Sequence, residues 1–267
     1  MRFIGIGLIL CALIIPVSVA EAQDRALHWE RYDIAVSVGA DGNLRVVETQ
    51  HLVIDQGSFR TGSRSFTTGS FGRVRSVSVS EDGQAYTRGA EQPGTFSASE
   101  DGERFQLAYV FRDPQAAQHT MTIAYTVAQS LIANGDEALL EWNFFCAESS
   151  CPRIDSGSLT FQPPPGVSPA NLGTTTAGAA VTAAQTGNQW RWELGGPIQG
   201  EQVTLQARFP RAALAPSAVF RSGGSAPQPA PPLNEPAFPE QPGSGIPRQP
   251  DLGIPGQTVP VGTFSPA

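Results

Sequence analysis

Lysine is absent from this 267-residue chain, so every basic side chain is an arginine or one of three histidines. The one-sided choice of cation points to a GC-rich genome rather than to a mechanism. The arginines are scattered and the formal net charge is -7, which argues against the concentrated basic face of a nucleic-acid-binding protein. His28, His51 and His119 lie far apart, no two at metal-ligand spacing, so neither a metal nor another cofactor is expected. No nucleophile-elbow pattern precedes a helix, and no convincing helical period separates the strand-like segments. Beyond residue 23, no stretch is long and apolar enough to cross a bilayer as a helix.

What is present begins with an export signal. Arg2, an apolar run over residues 3–15, Pro16 and small residues up to Ala22 read as a secretory signal peptide over residues 1–22. The run falls short of the roughly 20 residues a spanning helix needs. Ala20-Glu21-Ala22 marks cleavage before Gln23, with Ser18-Val19-Ala20 as the alternative, and Leu10 is too large to make Cys11 a lipoprotein site. The mature chain is therefore expected outside the cytoplasm, secreted or held at the cell surface or in the periplasm. In that oxidising setting Cys146 and Cys151 are expected to form a disulfide. It closes a very short loop, so its entropic contribution is small. Redox motifs usually have two intervening residues, and no Cys or His partner lies nearby to complete a zinc set.

From about Trp29 to Phe209 the pattern is that of strands. Residues 32–38 alternate apolar and polar side chains, Asp41-Gly42 supplies a hairpin turn, and residues 44–54 return. Residues 74–80, 105–111, 120–128, 138–144, 158–162, 189–194 and 202–209 read as further strands, separated by Gly-, Asp- and Pro-rich turns. Many short strands at regular intervals predict an all-β domain over residues 23–215, an antiparallel, immunoglobulin-like β-sandwich. Residues 174–184 read as a loop running into a weak strand. Residues 56–72, rich in Gly, Ser, Thr, Arg and Phe and lacking periodicity, read as a long loop. Residues 216–267 form a Pro- and Gly-rich tail, expected to be disordered because such a composition cannot bury a core.

Three segments, taken together, carry a family resemblance. They are Trp29-Glu30-Arg31-Tyr32-Asp33-Ile34-Ala35-Val36 through Asp41-Gly42-Asn43-Leu44-Arg45-Val46-Val47-Glu48-Thr49; Tyr125-Thr126-Val127 leading to Leu139-Leu140-Glu141-Trp142-Asn143; and Pro152-Arg153-Ile154 with Ser158-Leu159-Thr160-Phe161-Gln162-Pro163. Their order and spacing resemble the N-terminal domain of the "predicted membrane protein" family, domain-of-unknown-function family 2207, over about residues 29–210. The resemblance implies a bacterial extracytoplasmic β-domain followed in the family by membrane helices. Here a proline-rich tail stands in that place, so a membrane is expected as a partner only if the chain continues past Ala267. The family has no established catalytic residues, and none are carried over.

The candidate sites each have a plainer structural role beside the functional one. Glu141, beside Trp142, invites an acid–base reading, and a glycosidase would need a second carboxylate, for which Glu48 is the candidate. Alternation instead predicts Trp142 in the core and Glu141 in solvent. Trp190 and Trp192 share a strand face and could stack on sugar rings, although large aromatics more often supply core area. Arg60, Arg64, Arg73 and Arg75, interleaved with Phe59, Phe66 and Phe71, could meet an anionic polymer or lipid headgroups; a mobile solvated loop is the plainer role. Asp41, Asp82 and Asp101 each precede a glycine as turn chemistry requires. No catalytic residue is assigned. Trp190, Trp192, Arg60 and Arg64 stand as candidate ligand contacts on a non-catalytic binding or scaffolding ectodomain, whose partner is an envelope protein or glycan and not nucleic acid. The alternatives are a carbohydrate-active enzyme using Glu141 and a structural spacer presenting its proline-rich tail.

Overall fold

The computed structural model describes residues 25–68, 73–89, 91–101, 104–145, 150–168 and 171–221. The signal sequence, Cys146 and the tail beyond residue 221 lie outside the described residues. Within them the chain is all-β, with a 3-10 turn at Arg211–Ala213 and no α-helix among the described residues.

The strands are β1 (Ala26–Val38), β2 (Leu44–Gln56), β3 (Thr61–Thr67), β4 (Val74–Glu81), β5 (Gln84–Ala85), β6 (Thr87–Arg88), β7 (Thr95–Asp101) and β8 (Arg104–Val110). They continue with β9 (Gln118–Val127), β10 (Leu131–Asn134), β11 (Glu137–Phe144), β12 (Gly157–Gln162), β13 (Gly173–Gly178), β14 (Val181–Thr186), β15 (Gln189–Leu194) and β16 (Val203–Pro210). All nine segments read as strands from their alternation are strands. The loop expected over residues 56–72 is corrected, because β3 lies inside it. Gly62, Ser63 and Ser65 hide the pattern, and pairing with β8, with Phe66 opposite Phe105, holds the segment extended. The ambiguous residues 174–184 resolve into β13 and the start of β14, which pair with β16 and β15.

Three sheets form. One has eight strands in the order β14-β15-β12-β1-β2-β9-β4-β5; the others have four each, β10-β11-β16-β13 and β3-β8-β7-β6. Pairing is mainly antiparallel, but β1 and β12 run parallel, from Tyr32 opposite Gly157 to Ser37 opposite Gln162. This topology does not establish an immunoglobulin-like arrangement, since its largest sheet has eight strands and contains that parallel pair. The inner faces meet in one hydrophobic cluster. Phe66 of β3 packs on Tyr125 of β9 with ring centroids 5.4 Å apart and on Trp142 of β11 at 6.0 Å, so all three sheets share that contact. Each fully buried Ile, Leu or Phe there contributes roughly 1.5–3 kcal/mol.

The packed chain continues past Ala215. Ala215 donates its N–H to the Ala40 carbonyl at 2.7 Å, and Arg221 donates its N–H to the Leu131 carbonyl at 2.8 Å. These bonds carry the last described residues back across the start of β10.

Candidate functional site

The inward row of β2 starts apolar with Leu44 and Val46, then continues with Glu48 and Gln50 before Leu52. Strict two-residue alternation thus carries a carboxyl group and an amide into the core. Glu48 is 1 % exposed, and an unpaired charge there would cost several kcal/mol. The fold supplies partners from other strands. Arg64 donates from Nε to both carboxylate oxygens, at 3.1 and 3.0 Å, and the Tyr125 hydroxyl donates to Oε1 at 2.7 Å. The Tyr32 hydroxyl donates to Oε2, and Gln50 Nε2 reaches the same oxygen at 3.3 Å and the Tyr32 hydroxyl at 3.1 Å.

The electrostatics follow from this enclosure. Burial disfavours the Arg64 cation, but the Glu48 charge outweighs it and holds the guanidinium pKa above its ordinary value. Burial first, and the Glu48 charge second, push the Tyr32 and Tyr125 hydroxyls well above theirs. The tyrosines are therefore fixed proton donors at neutral pH. The cluster joins β1, β2, β3 and β9 across the interior.

A second buried centre lies on β4 and β9. His119, 2 % exposed, places Nδ1 2.5 Å from Glu81 Oε1, with the Phe111 ring over its imidazole at 4.1 Å. The Tyr86 hydroxyl and the Arg112 backbone N–H donate to the other Glu81 oxygen at 2.6 and 2.9 Å. Burial alone would raise the Glu81 pKa; the bonds from Tyr86, Arg112 and His119 outweigh it and hold the carboxyl below its usual range.

The residues singled out from sequence part company. Trp190 and Trp192 stack with centroids 6.0 Å apart and planes 16° apart, opposite Phe161 and Leu159 on β12. Trp192 is 4 % exposed and Trp190 packs against the core, so this face of β15 supplies interior area rather than an open platform. Arg64 is not a solvated loop cation: as part of β3 it turns inward onto Glu48. Arg60 remains exposed and donates Nη2 to the Glu91 carbonyl at 2.9 Å. Glu141 and Glu48 do not face one another. Trp142 occupies the inner face of β11, which sends Glu141 to the outer face opposite Gln206, while Glu48 points inward. Cys151 is buried; its expected bridge involves Cys146, which lies outside the described residues. Among the described residues no group of three His, Cys, Asp or Glu side chains converges as a metal site.

Sequence reasoning named Arg75 but missed the rest of the outer face of the eight-stranded sheet. Register there aligns Gln162, Ser37, Arg45, Thr126 and Arg75 in one row across β12, β1, β2, β9 and β4. Two residues further along, or three on β4 where a bulge intervenes, the row reads Thr160, Ala35, Val47, Ala124 and Ser78. These side chains remain exposed or half-exposed. Over β1, β2 and β12 the first row floors a recess of about 390 Å³ walled by the Asp41–Asn43 turn and by Pro163 and Pro165. No local motif signals this set, because its members come from distant segments and meet only through strand register.

Residues 29–210 match the profile of the "Predicted membrane protein (DUF2207) N-terminal domain". The chain belongs to this family. As a DUF2207 domain it shows, among the described residues, no helix long and apolar enough to cross a membrane. No curated protein matches it. Solved structures share only a distant likeness. A candidate protease from Parabacteroides distasonis aligns with 12% identity and a TM-score of 0.42 over 68% of this chain and 40% of its own. Yeast LTA4 hydrolase aligns with 12% identity and 0.39 over 72% and 31%, and the M1 zinc metallopeptidase from Deinococcus radiodurans with 10% and 0.37 over 68% and 43%. The DUF2207 domain thus spans less than half the length of each.

Proposed function

We propose that this DUF2207 domain is an exported, non-catalytic binding ectodomain of the bacterial cell envelope, stapled near β11 by a Cys146–Cys151 disulfide. The observation that carries the reading is the contrast between its two polar regions. The buried carboxylates Glu48 and Glu81 have their hydrogen bonds committed to the fold, whereas the hydroxyl, amide and guanidinium groups of the outer sheet face are open to solvent. Buried hydrogen-bonded networks fix a fold; an exposed polar row is available to a partner. The signal-like residues 1–22 and membership of a membrane-protein family support the location.

The test is fractionation of a host expressing the epitope-tagged full chain, followed by binding of the purified chain to isolated envelopes. Recovery outside the cytoplasmic membrane with saturable envelope binding is expected. Retention in the cytosol, or a purified chain that ignores envelopes, overturns the proposal. Turnover of a glycan, ester or peptide that Glu141→Gln abolishes would replace it with an enzymatic role.

A further inference from the structure

The charges on the outer face of the eight-stranded sheet are unevenly distributed. Towards β15 they neutralise one another. Arg31 donates to both Asp33 oxygens at 2.6 and 2.8 Å, Ser158 donates to Asp33 at 2.6 Å, and Arg191 pairs with Glu193 at 2.5 Å. Towards β4 the pattern reverses. Arg45 and Arg75 stand opposite the two sides of Thr126, one on β2 and one on β4. Both are exposed, and neither makes an ion pair or side-chain hydrogen bond among the described residues. Arg73, also exposed, lies two residues before Arg75, and its carbonyl accepts the Ala128 N–H at 3.3 Å. Alternation therefore sends it to the same side of the sheet.

The nearest acid in the row's recess is Asp41, and its carboxylate is turned onto its own hairpin. It accepts the Asn43 backbone N–H at 3.0 Å and the Asn43 side-chain amide at 2.6 Å. Gln162, Ser37 and Thr126 extend the row with neutral donors and acceptors. Adjacent strands lie about 4.8 Å apart, so Arg45 and Arg75 are spaced by about 10 Å and the full row runs about 19 Å. An overall acidic protein thus keeps a strip of unpaired cations beside hydroxyl and amide groups.

We propose that this strip, Gln162-Ser37-Arg45-Thr126-Arg75 extended by Arg73, is the binding site of the ectodomain for a carboxylate-bearing acidic polysaccharide lying across the strands. The proposal rests on the binding-ectodomain reading above and names its ligand class. Arginine forks match carboxylates, while hydroxyl and amide side chains suit sugar hydroxyls. Length also fits, since the row spaces two cations along an extended chain rather than focusing them on one small anion. A bilayer surface fits less well. Val219 is the one large hydrophobic side chain exposed among the described residues, and it lies on the C-terminal segment rather than in this row. Nothing in the row would insert between lipids.

The experiment measures binding of the purified full chain to polygalacturonate, with dextran as the neutral polymer and phosphatidylglycerol vesicles as the anionic surface. Arg45→Gln/Arg75→Gln removes the strip's two paired-register cations. Arg104→Gln/Arg208→Gln removes the same charge from elsewhere. Expected are saturable polygalacturonate binding, at least a tenfold loss in the first variant, less than a twofold change in the second, and weakening as salt rises. All four substitutions are exposed or half-exposed, and an unchanged melting temperature checks that each variant folds. Equal loss in both variants, or stronger binding to vesicles than to polymer, overturns the proposal. So does failure to bind polygalacturonate while envelopes still bind, an outcome that leaves the binding-ectodomain reading standing. Failure to bind either overturns both.

Discussion

Arg64 and Glu48 meet at 3.0 Å inside the domain, one from β3 and the other from β2, with the carboxylate 1 % exposed. Removing one partner of a buried pair leaves the other charge unpaired, at a cost of about 3–5 kcal/mol. Arg64→Ala is therefore expected to destabilise the fold by that amount. Glu48→Leu/Arg64→Met, which removes both charges, should be less damaging than Arg64→Ala alone. Urea unfolding of the three chains checks the order.

Acid sensitivity follows from Glu81. Its folded-state pKa is depressed relative to the ordinary value of 4.5, so the unfolded chain takes up its proton first as pH falls. The resulting stabilisation is present above about pH 4.5 and is lost as pH drops through the lower folded value. Urea midpoints measured between pH 7 and pH 3 should decline at the acid end. Glu81→Gln, which cannot titrate, should show a shallower decline and a lower midpoint at pH 7.

The tryptophan pair separates core from surface. Trp192 is 4 % exposed and Trp190 only partly covered. Trp192→Ala is expected to cost about 3–5 kcal/mol as a large-to-small core change, and Trp190→Ala distinctly less. Comparable small losses for both would mean that the indoles are not packed as described.

Gly157 marks the close approach of the parallel pair. A Cβ built there would stand 2.4 Å from the Tyr32 carbonyl oxygen, which no alanine tolerates without separating β12 from β1. Gly157→Ala is expected to destabilise by about 1–3 kcal/mol, the usual range for overpacking. An alanine variant with an unchanged urea midpoint would contradict the parallel pairing.

Family resemblance was legible in local patterns, and so was much of the fold. Period-two alternation placed β1, β2, β4, β8, β9, β11, β12, β15 and β16, because alternation reports which side chains face a core whatever strand lies beside them. The same alternation already carried Glu48 and Gln50 inward after Leu44 and Val46, although nothing local named their partners. β3 was not legible, since Gly62, Ser63 and Ser65 have little strand preference of their own and are held by β8.

The sequence by itself determined an all-β chain with a signal-like start, an acidic balance and the faces of its main strands. The tertiary structure decided which strands are neighbours, that β1 runs parallel to β12, that Arg64 turns inward to Glu48, and that Arg45 and Arg75 flank Thr126. The physical reason is register. Facing is set within a few residues of one strand, but the partner across a sheet depends on hydrogen bonds between segments far apart in the chain, such as Asp33 opposite Ser158, and no local pattern encodes that choice.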